Sequence, residues 1–146
     1  HKSPFEFLSM AAELGDIEAH YELSVMYRDG QGVEKDEQME LHHMEAAAIG
    51  GHPKARHNLG VIEGKNGRYE RAVKHFIIAA NLGHDGSLYA LKEGYKDGVV
   101  SKEDFAAALR AHQAAVNATK SPQREEAEAF HQQMMAAKAK KHFGKS

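Results

Sequence analysis

An all-α solenoid, a row of helical hairpins stacked side by side, is the fold the sequence predicts. Two observations carry that prediction. A block of small residues, Ala11-Ala12-Glu13-Leu14-Gly15, returns 36 residues on as Ala47-Ala48-Ile49-Gly50-Gly51. It returns again after 32 residues as Ala79-Ala80-Asn81-Leu82-Gly83 and after 35 more as Ala114-Ala115-Val116-Asn117-Ala118. A second element keeps the same step: Ala19 and Leu23, Ala55 and Leu59, Ser87 and Leu91. Self-similarity at such a period marks units that bury their apolar faces only against neighbours.

About eight helices follow in order. Ser3-Pro4-Phe5-Glu6 opens the first, with serine as N-cap, proline at the first helical position and glutamate three residues after the cap. Gly15 stops it, and Asp16 opens a second helix packed through Ala19, Leu23 and Tyr27. After the loop Gly30-Gln31-Gly32-Val33, Asp36 caps a helix carrying Leu41, Met44, Ala47 and Ala48. Pro53 starts the next, with Ala55 and Leu59 inward, and Gly67 turns the chain into a helix with Ala72, Phe76, Ala79 and Ala80. Leu91 and Tyr95 repeat the places of Leu23 and Tyr27, and Ser101 caps a partner helix through Phe105, Ala108 and Ala115. Ser121-Pro122 then reads as the start of a last helix, whose narrow stripe of Ala127, Phe130, Met134 and Ala137 suits a terminal cap. The resulting plan is a half repeat (3–15), three repeats (16–51, 52–83, 84–119) and a capping helix with a basic tail (120–146). Beginning in mid-repeat, the chain reads as a piece of a longer array.

Composition removes several function classes. A formal charge of −2 gives no electrostatic footprint for nucleic acid. No apolar run approaches the roughly 18 residues needed to span a bilayer, so no membrane partner is expected, and the cytoplasm is the default location. Absence of cysteine excludes disulfides, thiolate metal sites and cysteine nucleophiles. Histidine is abundant, 11 of 146, so full protonation would carry the charge from −2 to +9.

Gly15, Ala19, Leu23, Tyr27, Gly30, Gly32-Val33, Asp36 and Ala47-Ala48, at these spacings, resemble the Sel-1-like repeat, a helical hairpin related to tetratricopeptide repeats. The second unit keeps Ala55, Leu59, Gly60, Ala79, Ala80 and Gly83 but has Glu63 where tyrosine is usual. Its Gly67-Arg68-Tyr69-Glu70-Arg71-Ala72 is closer to a tetratricopeptide turn. The third keeps Leu91, Tyr95, Gly98, Asp104 and Ala114-Ala115, with Ser87 replacing alanine. The resemblance covers roughly residues 5–119. It implies a right-handed α/α superhelix acting as a non-catalytic adaptor, with no cofactor and no small-molecule substrate.

Other chemistry is thinly signalled. From Asp97-Gly98-Val99-Val100-Ser101 to Asp104-Phe105 the chain imitates the second half of a calcium loop that would begin at Glu93, but tyrosine at 95 removes one oxygen ligand and Asp104 is short for the closing bidentate position. A capped inter-helix turn explains the segment better. His42 and His43 are adjacent on a helix and point about 100° apart, and His52 and His57 straddle a helix start with no carboxylate in a recognised metal register. No metal site is assigned. Lys138, Lys140, Lys141 and Lys145 make a basic end of the kind a helix dipole favours.

By analogy with tetratricopeptide architecture, the first helix of each hairpin lines the concave face. Two positions before the repeat leucine stand Tyr21, His57 and Tyr89; two after it, Val25, Val61 and Glu93; five after it, Arg28, Gly64 and Lys96. Tyrosine and arginine are residue types that interfaces favour. The expected function is a scaffold that holds a protein or peptide on this face, with Arg28 or Lys96 available to a carboxylate. Two further readings are a histidine-based pH- or metal-responsive module and a purely structural segment of a longer array.

Overall fold

The computed structural model describes residues 1–143. These form seven α-helices and no strand among the described residues: α1 Pro4–Glu13, α2 Ile17–Asp29, α3 Glu37–Ile49, α4 Pro53–Lys65, α5 Tyr69–Asn81, α6 Asp85–Lys96 and α7 Lys102–Phe143. No described helix is long and apolar enough to cross a membrane. The chain divides into two compact units, 1–112 and 113–146.

In the first unit each helix from α1 to α5 packs on the one that follows it. Instead of one centre the core is three small clusters. Ala12, Ala19 and Leu23 join α1 to α2. Met44, Ala47, Ala48, Ala55 and Leu59 join α3 to α4. Ala80, Leu91, Val100 and Ala108 join α5, α6 and the start of α7. Ala12, Ala47, Ala48 and Ala80 of the recurring alanines lie in these seams, where a small side chain lets two helices approach, whereas Ala114 is exposed and Ala115 only half-buried. Leu23 and Leu91 are 1% and 0% exposed, as their register requires.

Turn chemistry fixes the junctions between successive hairpins. At Gly51 and Gly83 φ is +97° and +93°, a left-handed conformation that costs glycine nothing and other residues more. Ser3 accepts from Glu6 N–H at 3.1 Å, Asp16 from Ala19 N–H at 3.0 Å and Asp36 from Gln38 N–H at 3.0 Å, so the caps read from sequence form.

The second unit, 113–146, is helical throughout its described residues, as the continuation of α7. The helix start read at residues 121–122 is corrected here, because the backbone runs through Pro122 without a break and seven helices replace the expected eight. Proline's φ near −65° fits a helix, and the alanines, lysines, glutamines and glutamates around it are strong helix formers. Phe130 and Met134 of the apolar stripe are 64% and 56% exposed. Of the basic end, Lys138, Lys140 and Lys141 lie on α7, and Lys145 lies outside the described residues.

Candidate functional site

The face made by α2, α4 and α6 is held by a joint that recurs from one repeat to the next. The N-caps of α4 and α6 are imidazoles. His52 Nδ1 accepts from Ala55 N–H at 3.3 Å, and His84 Nδ1 accepts from Ser87 N–H at 3.1 Å. Both sit in the register that Asp16 occupies before α2. Each capping ring is in turn covered by a ring from the preceding repeat. Tyr21 stacks on His52 with centroids 4.3 Å apart and planes 17° from parallel, and His57 lies 4.6 Å from His84. Tyr89 holds the same register as Tyr21 and His57 but stands 65% exposed.

Hydrogen bonding assigns the tautomers. Because His52 uses Nδ1 as an acceptor, its Nε2–H donates to Glu18 at 2.7 Å. The Ser87 hydroxyl, fully buried, bridges His57 Nδ1 at 2.7 Å and His84 Nδ1 at 3.1 Å. Ser87 thus gives its hydroxyl a task that alanine at 19 and 55 does not have. A protonated His84 would present N–H to N–H and lose its cap. Burial holds His84 below the ordinary histidine range; the Asp85 carboxylate offsets part of that, and the smaller effect of Lys54 adds to it. Burial and then His84 do the same to His57.

Beside this joint an open groove of about 700 Å³ runs between α4, α5 and α6. It gathers four of the eight residues assigned to the concave face: His57, Val61, Tyr89 and Glu93. Phe76 forms part of the lining, its ring centroid 5.1 Å from that of His57. Gly60 keeps that ring in place, because a Cβ there would lie 2.7 Å from Phe76 Cε1. The other four residues are elsewhere. Tyr21 is half-buried against His52 and the α3–α4 cluster, and Val25 is half-buried on α2. Arg28 Nε donates to Asp29 at 3.1 Å, and Lys96 Nζ donates to Glu93 at 3.4 Å, so each cation already faces a local carboxylate.

A second histidine cluster lies between α2 and α3. The Nδ1 atoms of His20 and His43 face each other at 3.0 Å, an arrangement in which one ring donates and the other accepts. Tyr27 stacks on His43 at 5.7 Å and meets Phe5 edge-on at 5.8 Å. Burial first, then the neighbouring His42 and His20, lowers the His43 pKa to about 4. Among the described residues no group of three histidines or carboxylates is placed to hold a metal ion. The segment resembling a calcium loop is a capped turn: Val99 N–H and Val100 N–H both donate to Gly94 O, and Ser101 caps α7 by accepting from Asp104 N–H at 3.0 Å.

Sequence reasoning missed the imidazole caps, since histidine is not a favoured N-cap type. The signal was their register with Asp16. Stacked helical hairpins, joined through small-residue seams and open along one face, define the chain as an α/α-repeat solenoid.

The particular repeat follows from comparison. The Sel1 repeat model matches residues 5–16, 17–52 and 53–84, more than half of the chain, and the protein belongs to the Sel1 repeat family. It is similar to the crystal structure of a Sel1 repeat protein from Oxalobacter formigenes, at 27% identity and a TM-score of 0.63 over 84% of this chain and 95% of that one. It is also similar to a protective antigen with an SLR fold from uropathogenic Escherichia coli strains, at 31% identity and a TM-score of 0.59. That match spans 75% of this chain and 24% of that one. No curated protein matches at the sequence level. Sel1 repeat proteins are generally protein-interaction scaffolds and typically non-catalytic.

Proposed function

We propose that this chain is a non-catalytic scaffold that holds a peptide or protein partner on the face of α2, α4 and α6, with the groove beside Tyr89 as the principal seat. One observation carries the reading: His57, Val61, Tyr89 and Glu93, picked out by repeat register alone, converge on one open groove with an exposed tyrosine at its edge. Large aromatic side chains on an otherwise polar surface are the residues from which binding hot spots are made. Membership of a family of interaction scaffolds supports it. Residues 84–119, beyond the stretch the family model matches, are read as a third repeat of the same kind, because His84, Ser87 and Leu91 repeat the roles of His52, Ala55 and Leu59.

Affinity capture from native lysate with the wild-type chain and with Val61→Ala/Tyr89→Ala tests the assignment, circular dichroism confirming equal helicity. The expected result is a partner held by the wild type and lost from the variant. A partner held equally by both refutes the groove as the seat.

The histidine pair of His20 and His43 favours a second reading, in which the array responds to pH. That response acts on the α2–α3 seam and so on stability, as developed below.

A further inference from the structure

We propose that the α4–α6 groove selects a partner segment in which an aliphatic or aromatic side chain is flanked by lysine or arginine. This rests on the groove being the binding seat. The chemistry of its walls points one way. Val61 and Phe76 are half-buried and form an apolar floor, while Tyr69 and Tyr89, 61% and 65% exposed, stand at its edges. The fixed charges among the lining residues are two carboxylates, Glu93 and Asp97, with no lysine or arginine.

His57, the remaining lining group that could carry charge, is kept neutral near pH 7 by burial and by His84, so it does not offset the carboxylates. Lys96 bonds Glu93 at 3.4 Å with both side chains well exposed to water, a pair of the kind contributing little, which an incoming cation can replace. The exposed side chains of Tyr69 and Tyr89 act in the same direction, because a guanidinium or ammonium is attracted to the negative face of an aromatic ring. An anionic segment would meet two carboxylates and find no cation in the lining. The sequence-level expectation of a carboxylate held by Arg28 or Lys96 is thereby replaced by its opposite at this groove.

The test measures fluorescence anisotropy of the full chain with three short labelled peptide pools of equal length. One has Phe or Leu flanked by Lys or Arg, one has Phe or Leu flanked by Asp or Glu, and one has Ala flanked by Lys or Arg. The first pool is expected to bind best, and Glu93→Gln/Asp97→Asn is expected to weaken it about three- to tenfold and flatten its salt dependence. Preference for the acidic pool, equal binding of the alanine pool, indifference of the first pool to the double variant, or no binding at about 1 mM each overturns the proposal. Tyr89→Ala separates the two levels of inference. If it abolishes binding of an acidic pool, the seat stands and the charge assignment falls; if it leaves the bound pool unaffected, the seat itself falls.

Discussion

Acidification should loosen this protein, and His43 is where the effect is largest. Its ring sits half-buried between Tyr27, His42 and His20, with a pKa lowered to about 4 against 6.5 in the unfolded chain. The folded pKa lies below the unfolded one, so between those values the unfolded chain binds the extra proton and folding loses free energy. The contribution is whole above about pH 6.5, declines as pH falls to about 4 and changes no further below. At about 1.4 kcal/mol per tenfold, the full displacement would be worth about 3.4 kcal/mol for an enclosed ring. Solvent reaching a half-buried ring reduces that to about 1–2 kcal/mol. His57, His75 and His84 are lowered too, burial being the first cause in each, and add in the same direction.

The assay is urea unfolding followed by helical circular dichroism from pH 7.5 to 4, on the wild type and on His43→Asn. Comparing the two removes the carboxylates, which titrate in both. The wild type should lose about 1–2 kcal/mol more than the variant across that range. Parallel curves for the two proteins would refute the burial argument, and so would a wild-type curve that is flat between pH 6.5 and 4.5.

Three further outcomes follow from the packing. Leu91→Ala empties a fully buried site between α5, α6 and α7 and should cost about 2–5 kcal/mol in urea unfolding, whereas Tyr89→Ala, two residues earlier and exposed, should cost under about 0.5 kcal/mol. Ser87→Ala removes the hydroxyl between His57 and His84 and should cost about 1 kcal/mol, with displacement of the His57 ring resonances in NMR spectra; unmoved resonances would show that the bridge is not formed in solution. Pro122→Ala restores a missing donor inside α7 at a position where proline costs about 3 kcal/mol relative to alanine, so amide exchange around residues 118–126 should slow markedly.

The fold was legible because a solenoid writes its packing into the spacing of its small residues. Ala47, Ala48, Ala79 and Ala80 recur because two helices must approach at the same place in every unit, and each is at most 2% exposed. Leu23 and Leu91 were legible for the same reason. The ring-on-ring joints were not, because a cap and its cover come from different repeats and only the folded stack brings them together. Pro122 misled because serine followed by proline looks the same at a helix start as in a helix interior, where strong helix formers on both sides carry the backbone through. The groove was half legible. Register chose His57, Val61, Tyr89 and Glu93, but the contributions of Tyr69, Phe76 and Asp97 come from a different helix and a loop, outside the register used.

The stacking of Tyr21 on His52 and of His57 on His84 has a consequence for how such arrays can be cut and spliced. The initiation signals of the second and third hairpins are each shielded by the upstream neighbour, so the module between them carries half of one junction at each end. Where a module opens on an imidazole cap at the 52/84 register, it should join best to one that presents an aromatic or imidazole ring at the 21/57 register. Shuffled arrays that respect this pairing should melt as one body. Arrays that violate it should come apart at the mismatched junction, each fragment keeping its own seams of alanine and leucine.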